Sequence, residues 1–546
     1  MSWSQLQSLS SMPPGWELPL LDERGPGAYR LLRGGQGARV RALLDAALRP
    51  EQAQIKALAR VLDAARGTEL GARYRLDRVR TLRAFRAAVP VRLSAEHQAD
   101  LDRVAAGEQG VLTRHKVRAL VKTSGTTGAP KLLPVTAPWA GLVADAQALW
   151  VLGMVREQGA LATGKVLTTV GRAVEGHSAG GLPYGSNTGR MQGAQPWWVR
   201  LRYAVPAEVF ELEDPELRHY VFLRLALAAD VRSWTTANPS TLLAMARVAE
   251  RWNEALRADL SDGTLSHGPA AGRDLRRFRW RLGRKRALPE GFRLGEAWNL
   301  AAVNCWKGGA APYFLRMLPQ ALGAEPVVRE AGISASEGYF GIPLHSSWAG
   351  GVAWTGGHLL EFLPLDGGEA RWAHEVEVGS EYRLVFSTTA GLYRYDIQDV
   401  VKVVGWYGRA PLLVFSRKDR DVLSVTGEKL TAAQVLEAVG QVLRPAPVGA
   451  ALGVRMAERP VYRFVIEGSP REGVAAALDG ALQRLNGEYA SKRRTDRLAP
   501  PEVRWVAEGT FARHRAMAHA RGVALGQYKD PVLLHGADLD DLEALG

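Results

Sequence analysis

Ten residues, Lys122–Lys131 (KTSGTTGAPK), gather groups that suit a phosphate chain. Thr123, Ser124, Thr126 and Thr127 supply four hydroxyls, and Lys131 supplies a cation. Gly125 and Gly128 let the backbone turn with positive φ and bring N–H groups close to a ligand. The spelling is not that of a P-loop. A P-loop needs four residues between its two defining glycines, then Lys, then Ser or Thr. Here two residues separate the glycines, and Leu132 follows Lys131. A plain surface turn rich in Thr and Gly has the same composition, so the choice falls to the rest of the chain.

The apolar runs 118–121 and 132–135 on either side read as short strands, which makes the ten residues a hairpin-like loop. A long apolar segment, Trp139–Val151, follows as a helix. Upstream, helices are expected over 39–65, 82–88 and 94–106. Val166–Val170, Trp234–Ala237 and Trp298–Cys305 read as strands, with a helix from Pro239 to about Leu260. Residues 171–193 hold seven glycines, Arg172 and His177, and read as a long irregular loop. Strands alternate with helices up to about residue 330, which indicates an α/β core; the later strands, from Leu359 to Phe415, look antiparallel. Beyond about 424 the pattern is a small α+β unit.

The 546 residues exceed one compact core. No run of eighteen apolar residues and no basic start with an apolar h-region is present, so neither a membrane span nor a secretion signal is expected, and cytoplasm is the default compartment. A single cysteine, Cys305, excludes an internal disulfide and a multi-cysteine metal site. The net charge of +14 raises the question of nucleic acid. Its densest patch, Arg273–Arg286, carries Leu275, Phe278 and Leu282 at helical spacing, which reads as a helix with three apolar anchors and a solvated arginine face. No zinc-finger, helix-turn-helix or RNA-binding signature accompanies it, so no nucleic-acid partner is expected.

Three separated stretches line up in one order. Thr123–Lys131 resembles the phosphate loop of adenylate-forming enzymes. Ile333–Ile342 (ISASEGYFGI) resembles the second motif of the Gretchen Hagen 3 acyl-acid amido synthetases, and Thr388–Lys402 (TTAGLYRYDIQDVVK) resembles that family's third motif, a Tyr- and Arg-bearing turn closing on an Asp. Gly357–Leu363 and Gln527-Tyr-Lys529 are similar to the family's text as well, in the manner of a bacterial-type member. Two departures stand out. Gln398 replaces the usual Gly before Asp399, which is expected to alter the turn presenting that Asp, and Asp396 stands where another residue is common.

The resemblance implies an α/β fold: a large multi-sheet N-terminal adenylation domain over 1–425, with a β-barrel-like part and α/β sheets, and a small mobile α+β C-terminal lobe over 426–546. It implies an ATP-dependent ligase that adenylates a carboxylic acid and passes the acyl group to an amino acid, with these small molecules as its partners; a monomer with two lobes is the default. Loop 123–131 would hold the β- and γ-phosphates, Glu337 the magnesium, and the backbone of Ser334, Ala335 and Ser336 the adenine. Asp399 would take the ribose hydroxyls. Arg417 would contact ribose or phosphate, or be one of the charges in its run; Lys429 marks the start of the small lobe on the nucleotide side. Lys529 would meet the α-phosphate and the reacting carboxylate. Arg172 and His177 are candidates on the acyl side. A CoA ligase of the same superfamily and a non-catalytic nucleotide- or nucleic-acid-binding protein are the alternatives. The Gly-Lys ending preceded by Pro and Thr, usual in CoA ligases, is missing, and Gln-Tyr-Lys529 stands instead.

Overall fold

A computed structural model describes residues 34–123, 131–419, 421–426, 428–457, 459–520, 530–535 and 538–546. The chain divides into two compact units. One comprises the residues up to Lys307 together with Pro319–Ser416; the other comprises Gly308–Leu318 together with Arg417–Gly546. The second unit thus begins ahead of residue 426 and also takes a short segment from the middle of the chain.

In the first unit, β2 (Ala119–Lys122) and β3 (Leu132–Val135) pair antiparallel with Lys122 opposite Leu132, which forms the expected hairpin. β6 (Pro183–Gly185) lies parallel to β2, and β5 (Gly176–His177) antiparallel to β6. Residues 171–193 are therefore not irregular: they extend the hairpin into a sheet and add the helix Asn187–Gly193. Strands of two and three residues are too short to show a period in the sequence.

A second sheet holds β4 (Lys165–Thr168), β7 (Val231–Thr235), β8 (Ala302–Cys305) and β9 (Val327–Glu330), all parallel in that order. Helices Pro215–Leu227, Pro239–Arg251 and Asn253–Asp262 lie in its connections, the last two where one helix was expected. Trp234, Val303 and Cys305 are fully buried, as strands covered on both faces must be.

The largest sheet follows the order β10 (Ile333–Ala335), β11 (Gly338–Ile342), β12 (Gly350–Ala353), β16 (Ala410–Lys418), β15 (Tyr395–Tyr407), β14 (Glu381–Ser387) and β13 (Leu359–Pro364), and β1 (Arg92–Leu93) joins β15 in parallel. The helix Ala137–Glu157 packs against β11. By length and composition that helix could cross a membrane, yet Trp139, Val143, Ala146, Leu149 and Leu152 are buried in this unit. One core cluster joins Leu120 and Leu133 of the hairpin to Phe340, Phe386 and Tyr395 of the large sheet.

Two local expectations fail for identifiable reasons. Residues 39–65 form two helices, Gly37–Leu48 and Pro50–Ala65, because Pro50 cannot continue the first and suits the start of the second. Within 273–286 Leu275 and Phe278 are buried anchors, but the element is a six-residue 3-10 helix, Arg276–Arg281. Asp274 takes the Arg276 N–H and side chain, and a run of like charges disfavours stacking four residues apart.

In the second unit β17 (Val422–Leu423) pairs with β18 (Leu430–Thr431), and β19 (Ala450–Arg455), β20 (Val461–Glu467) and β21 (Glu502–Val506) form a sheet. Helices Ala432–Val442, Val474–Leu485, Gly487–Arg494, Thr510–Ala520 and Asp538–Ala544 belong to it as well. The borrowed segment is tied in by Arg316, 2.9 Å from Glu437, and by the Tyr313 hydroxyl on the Pro447 carbonyl.

Candidate active site

The phosphate-type loop enters and leaves through a closed hairpin. The Thr123 N–H donates to the Lys131 carbonyl at 2.9 Å, and the Lys131 N–H to Thr123 Oγ1 at 3.1 Å. Ser124, Gly125, Thr126, Thr127 and Gly128 lie outside the described residues, as does Lys529. Lys131 extends its ammonium to Ser94 Oγ at 2.5 Å, and Lys122 pairs with Glu175 at 2.8 Å.

The second motif is the hairpin β10–β11, with Ser336 and Glu337 at its turn. Ser334, Ala335 and Ser336 are half-buried; Glu337 is buried at 8% exposure. Two contacts fix it. The Trp139 indole, two residues into the helix after the phosphate-type loop, donates to the Glu337 carbonyl at 2.7 Å. The Tyr395 hydroxyl donates to Glu337 Oε1 at 3.2 Å. Burial, then the Glu337 charge, raises the Tyr395 pKa, so the phenol keeps the proton it donates. Gly338 next in line has no room for a side chain: an added Cβ would come within 2.6 Å of His358 Nε2.

The third motif is pinned along its length. The Tyr393 hydroxyl donates to the Leu112 carbonyl at 2.7 Å, and Thr113 Oγ1 to the Thr389 carbonyl at 3.0 Å. Arg394 is buried with φ +45° and grips Glu361 with two bonds of 2.9 and 3.0 Å. It also donates to the Val89 carbonyl at 2.8 Å, and Arg86 adds a third donor to Glu361 at 3.1 Å. Arg394 thus holds the turn to the segment before β1 and is engaged within the fold.

Beyond Tyr395 the strand bulges. Arg383 faces Val400 and Val385 faces Asp396, so Leu384 alone spans Ile397, Gln398 and Asp399. Gln398 sits at φ +61°, in the region glycine favours. The other unusual residue supports it: buried Asp396 accepts the Gln398 N–H at 2.7 Å and lies 3.3 Å from Arg383. Gln398 thus occupies a left-handed position that glycine adopts without strain, held by the Asp396 carboxylate. Asp399 is half-buried on this bulge, and bulges of this kind are common beside active sites.

Arg172 pairs with Glu211 at 3.1 Å, and His177 is exposed on β5. Arg417 is half-buried near the end of β16, and Lys429 is exposed in the second unit at φ +49°. Sequence reasoning missed four contributors. Trp139 and Tyr395 lie in or beside recognised stretches. Ser94 and His97 belong to none; only the pairing of β1 with β15, Arg92 opposite Tyr395, brings them in. The His97 ring lies 4.8 Å from that of Tyr395, and burial, with Arg92 and Lys131 nearby, lowers its pKa to about 3.

The protein joins a cation, a buried carboxylate and a phenol drawn from three separated motifs. Among the described residues no three of His, Cys, Asp and Glu converge as a metal cluster. One carboxylate is nonetheless a donor set that suits magnesium, which completes its shell with phosphate oxygens and water.

Residues 39–327 match the GH3 family N-terminal domain, 352–418 the GH3 family central domain and 443–537 the GH3 family C-terminal domain. The indole-3-acetic acid-amido synthetase GH3.4 of Arabidopsis thaliana is 27% identical over 88% of this chain and 89% of its own. The indole-3-acetic acid-amido synthetase GH3.8 of Oryza sativa subsp. indica is 26% identical over 92% and 91%. Among solved structures, an AtGH3.15 acyl acid amido synthetase in complex with 2,4-DB superposes with a TM-score of 0.80 at 21% identity, covering 93% of this chain and 96% of that one. A 2-hydroxyisobutyryl-CoA ligase superposes with a TM-score of 0.52 at 14% identity, covering 98% and 97%. At these identities the structural likeness is one of fold. With three domain matches in order, the first spanning more than half of the 546 residues, the chain belongs to the GH3 family.

Proposed function

We propose that this protein is an ATP-dependent acyl-acid amido synthetase. The observation that carries the reading, beside family membership, is the convergence on Glu337: Trp139 after the first motif and Tyr395 of the third both bond to the glutamate of the second. In the first half-reaction a carboxylate oxygen bonds to the α-phosphorus of ATP, the bridging α–β P–O bond breaks, and pyrophosphate leaves. In the second, the amine of an amino acid bonds to the acyl carbon, the C–O bond to AMP breaks, and the amine loses a proton.

Two anions must meet in the first step, so charge screening and positioning are the tasks of the protein. Lys131 supplies a cation on the pyrophosphate side. Magnesium, when bound, screens the phosphate oxygens, and Glu337 would hold it. Asp399 would accept from the ribose hydroxyls, with Ser334, Ala335 and Ser336 beside the adenine. Arg417 and Lys429 would serve the nucleotide, and Lys529 the α-phosphate and the reacting carboxylate; a mobile C-terminal lobe would gate the two half-reactions. Arg172 and His177 are the acyl-side candidates. Relatives are named for indole-3-acetic acid and a structural neighbour holds 2,4-DB, so these acids come first in a panel with jasmonate- and benzoate-like acids.

The test is acid-dependent pyrophosphate release. Glu337→Ala and Lys529→Ala are each expected to abolish it, and normal release from either variant overturns that residue's role. Replacing the amino acid by CoA separates this reading from a CoA ligase.

A further inference from the structure

Ser94 and His97 belong to none of the three motifs, yet they sit where the motifs meet. The 3-10 helix Ser94–His97 follows β1, which is docked on the third motif: Arg92 lies opposite Tyr395 and Leu93 opposite Asp396, and the Arg92 N–H donates to the Arg394 carbonyl at 3.0 Å. Ser94 Oγ accepts from the Lys131 ammonium at 2.5 Å, and the Ser94 hydroxyl acts on the neighbouring Tyr395 phenol, whose pKa it lowers; that phenol in turn reaches Glu337.

Donor and acceptor capacities fix the direction of this chain. An ammonium can only donate and a carboxylate can only accept. Lys131 therefore donates to Ser94, and Tyr395 donates to Glu337. With its one proton given to Glu337 the Tyr395 oxygen can only accept, and the Ser94 hydroxyl, which accepts from Lys131 through one of its two lone pairs, has its proton free for Tyr395. The two bonds and the Ser94–Tyr395 contact between them run one way, from the cation beside the phosphate-type loop to the carboxylate of the second motif. The His97 ring closes the side of the relay against Tyr395. Both its nitrogens are buried without a hydrogen-bond partner among the described residues, so it draws on neither the lysine nor the serine.

We infer that Ser94 is a positioning residue for adenylation, the link through which Lys131 and Glu337 are oriented together before MgATP arrives. The inference rests on the function proposed above. A merely structural role fits poorly, because other contacts hold the segment without this hydroxyl: the backbone pairing with β15, and the Leu93 N–H on the Glu96 side chain at 2.6 Å. With the relay in place, neither charged side chain has to be ordered anew on binding, which is the advantage of a preorganised site. Residues that orient first-contact groups in this way are worth about 10- to 100-fold in affinity or activity.

The experiment compares the wild-type protein with Ser94→Ala, Ser94→Thr, Tyr395→Phe and the double variant Ser94→Ala/Tyr395→Phe. Readouts are MgATP binding by calorimetry, kcat and KM for ATP in pyrophosphate release, and the melting temperature. Ser94→Ala is expected to melt as wild type, to bind MgATP about tenfold more weakly, and to be rescued by Thr. The double variant is expected to be no worse than the poorer single one, since both cut one chain. Wild-type MgATP binding by Ser94→Ala, a lowered melting temperature that accounts for its loss, or fully additive effects overturn the relay. A wild-type protein that neither binds MgATP nor releases pyrophosphate overturns the adenylation reading itself, and the relay with it.

Discussion

Gln398→Gly tests whether the left-handed residue of the third motif is a strained replacement for glycine. Its φ of +61° places the Gln398 Cβ against its own carbonyl, a cost of roughly 1–2 kcal/mol that glycine does not carry. Glycine returns part of that gain, because it adds about 0.4–1 kcal/mol of unfolded-chain freedom. The bond to Asp396 Oδ1 is made by the backbone N–H and survives either residue. The net expectation is a gain of about 0.5–1 kcal/mol. Gln398→Val supplies the opposite sign: a β-branched side chain fits this region poorly, and a loss of at least about 1 kcal/mol is expected. The assay is the denaturant midpoint of the transition that includes the large sheet, compared at unchanged slope. The reasoning is refuted if the Gly variant is less stable than wild type, or if the Val variant is no less stable.

Glu361 is buried at 0% exposure and neutralised by Arg394 and Arg86. Arg394→Met is therefore expected to cost about 3–5 kcal/mol in a chemical denaturation series, and Arg394→Met/Glu361→Leu clearly less than the sum of its parts, because the pair is removed together. Glu330 gives a pH dependence. Burial pushes its carboxyl from 4.5 up to about 7, against the Lys307, Gly332 and Ala331 N–H groups that stabilise the anion. Between 4.5 and 7 the folded state keeps a proton that the unfolded chain has released, so this contribution is fully present below 4.5 and is lost as pH rises through 7. Melting curves from pH 5 to 8 are expected to shift in favour of Glu330→Gln, relative to wild type, as pH rises; a constant difference contradicts this.

What the sequence revealed was local. The hairpin 119–135 announced itself by apolar flanks around hydroxyls and glycines, and the second and third motifs by their spelling. What it hid was anything that depends on distant pairing. Ser94 reaches Lys131 across 37 positions, and Tyr395 reaches Glu337 across 58, and no periodicity encodes such a meeting. β5 and β6 are too short to register, and they turned a glycine-rich stretch into part of the hairpin's sheet. Arg394 belongs to the spelling of the third motif; only the fold shows its guanidinium committed to Glu361. Gln398 read as a disturbance, and its accommodation by Asp396 is visible only once the bulge is drawn.

The most direct measurement incubates the full-length protein with MgATP, indole-3-acetic acid or another acid of the panel, and a mixture of amino acids. AMP is quantified and the product weighed by mass spectrometry. The account predicts AMP release that requires both the acid and an amino acid, and a product whose mass is their sum less one water. ATP turnover that yields only a CoA thioester when CoA is supplied, or no AMP with any acid in the panel, would contradict it.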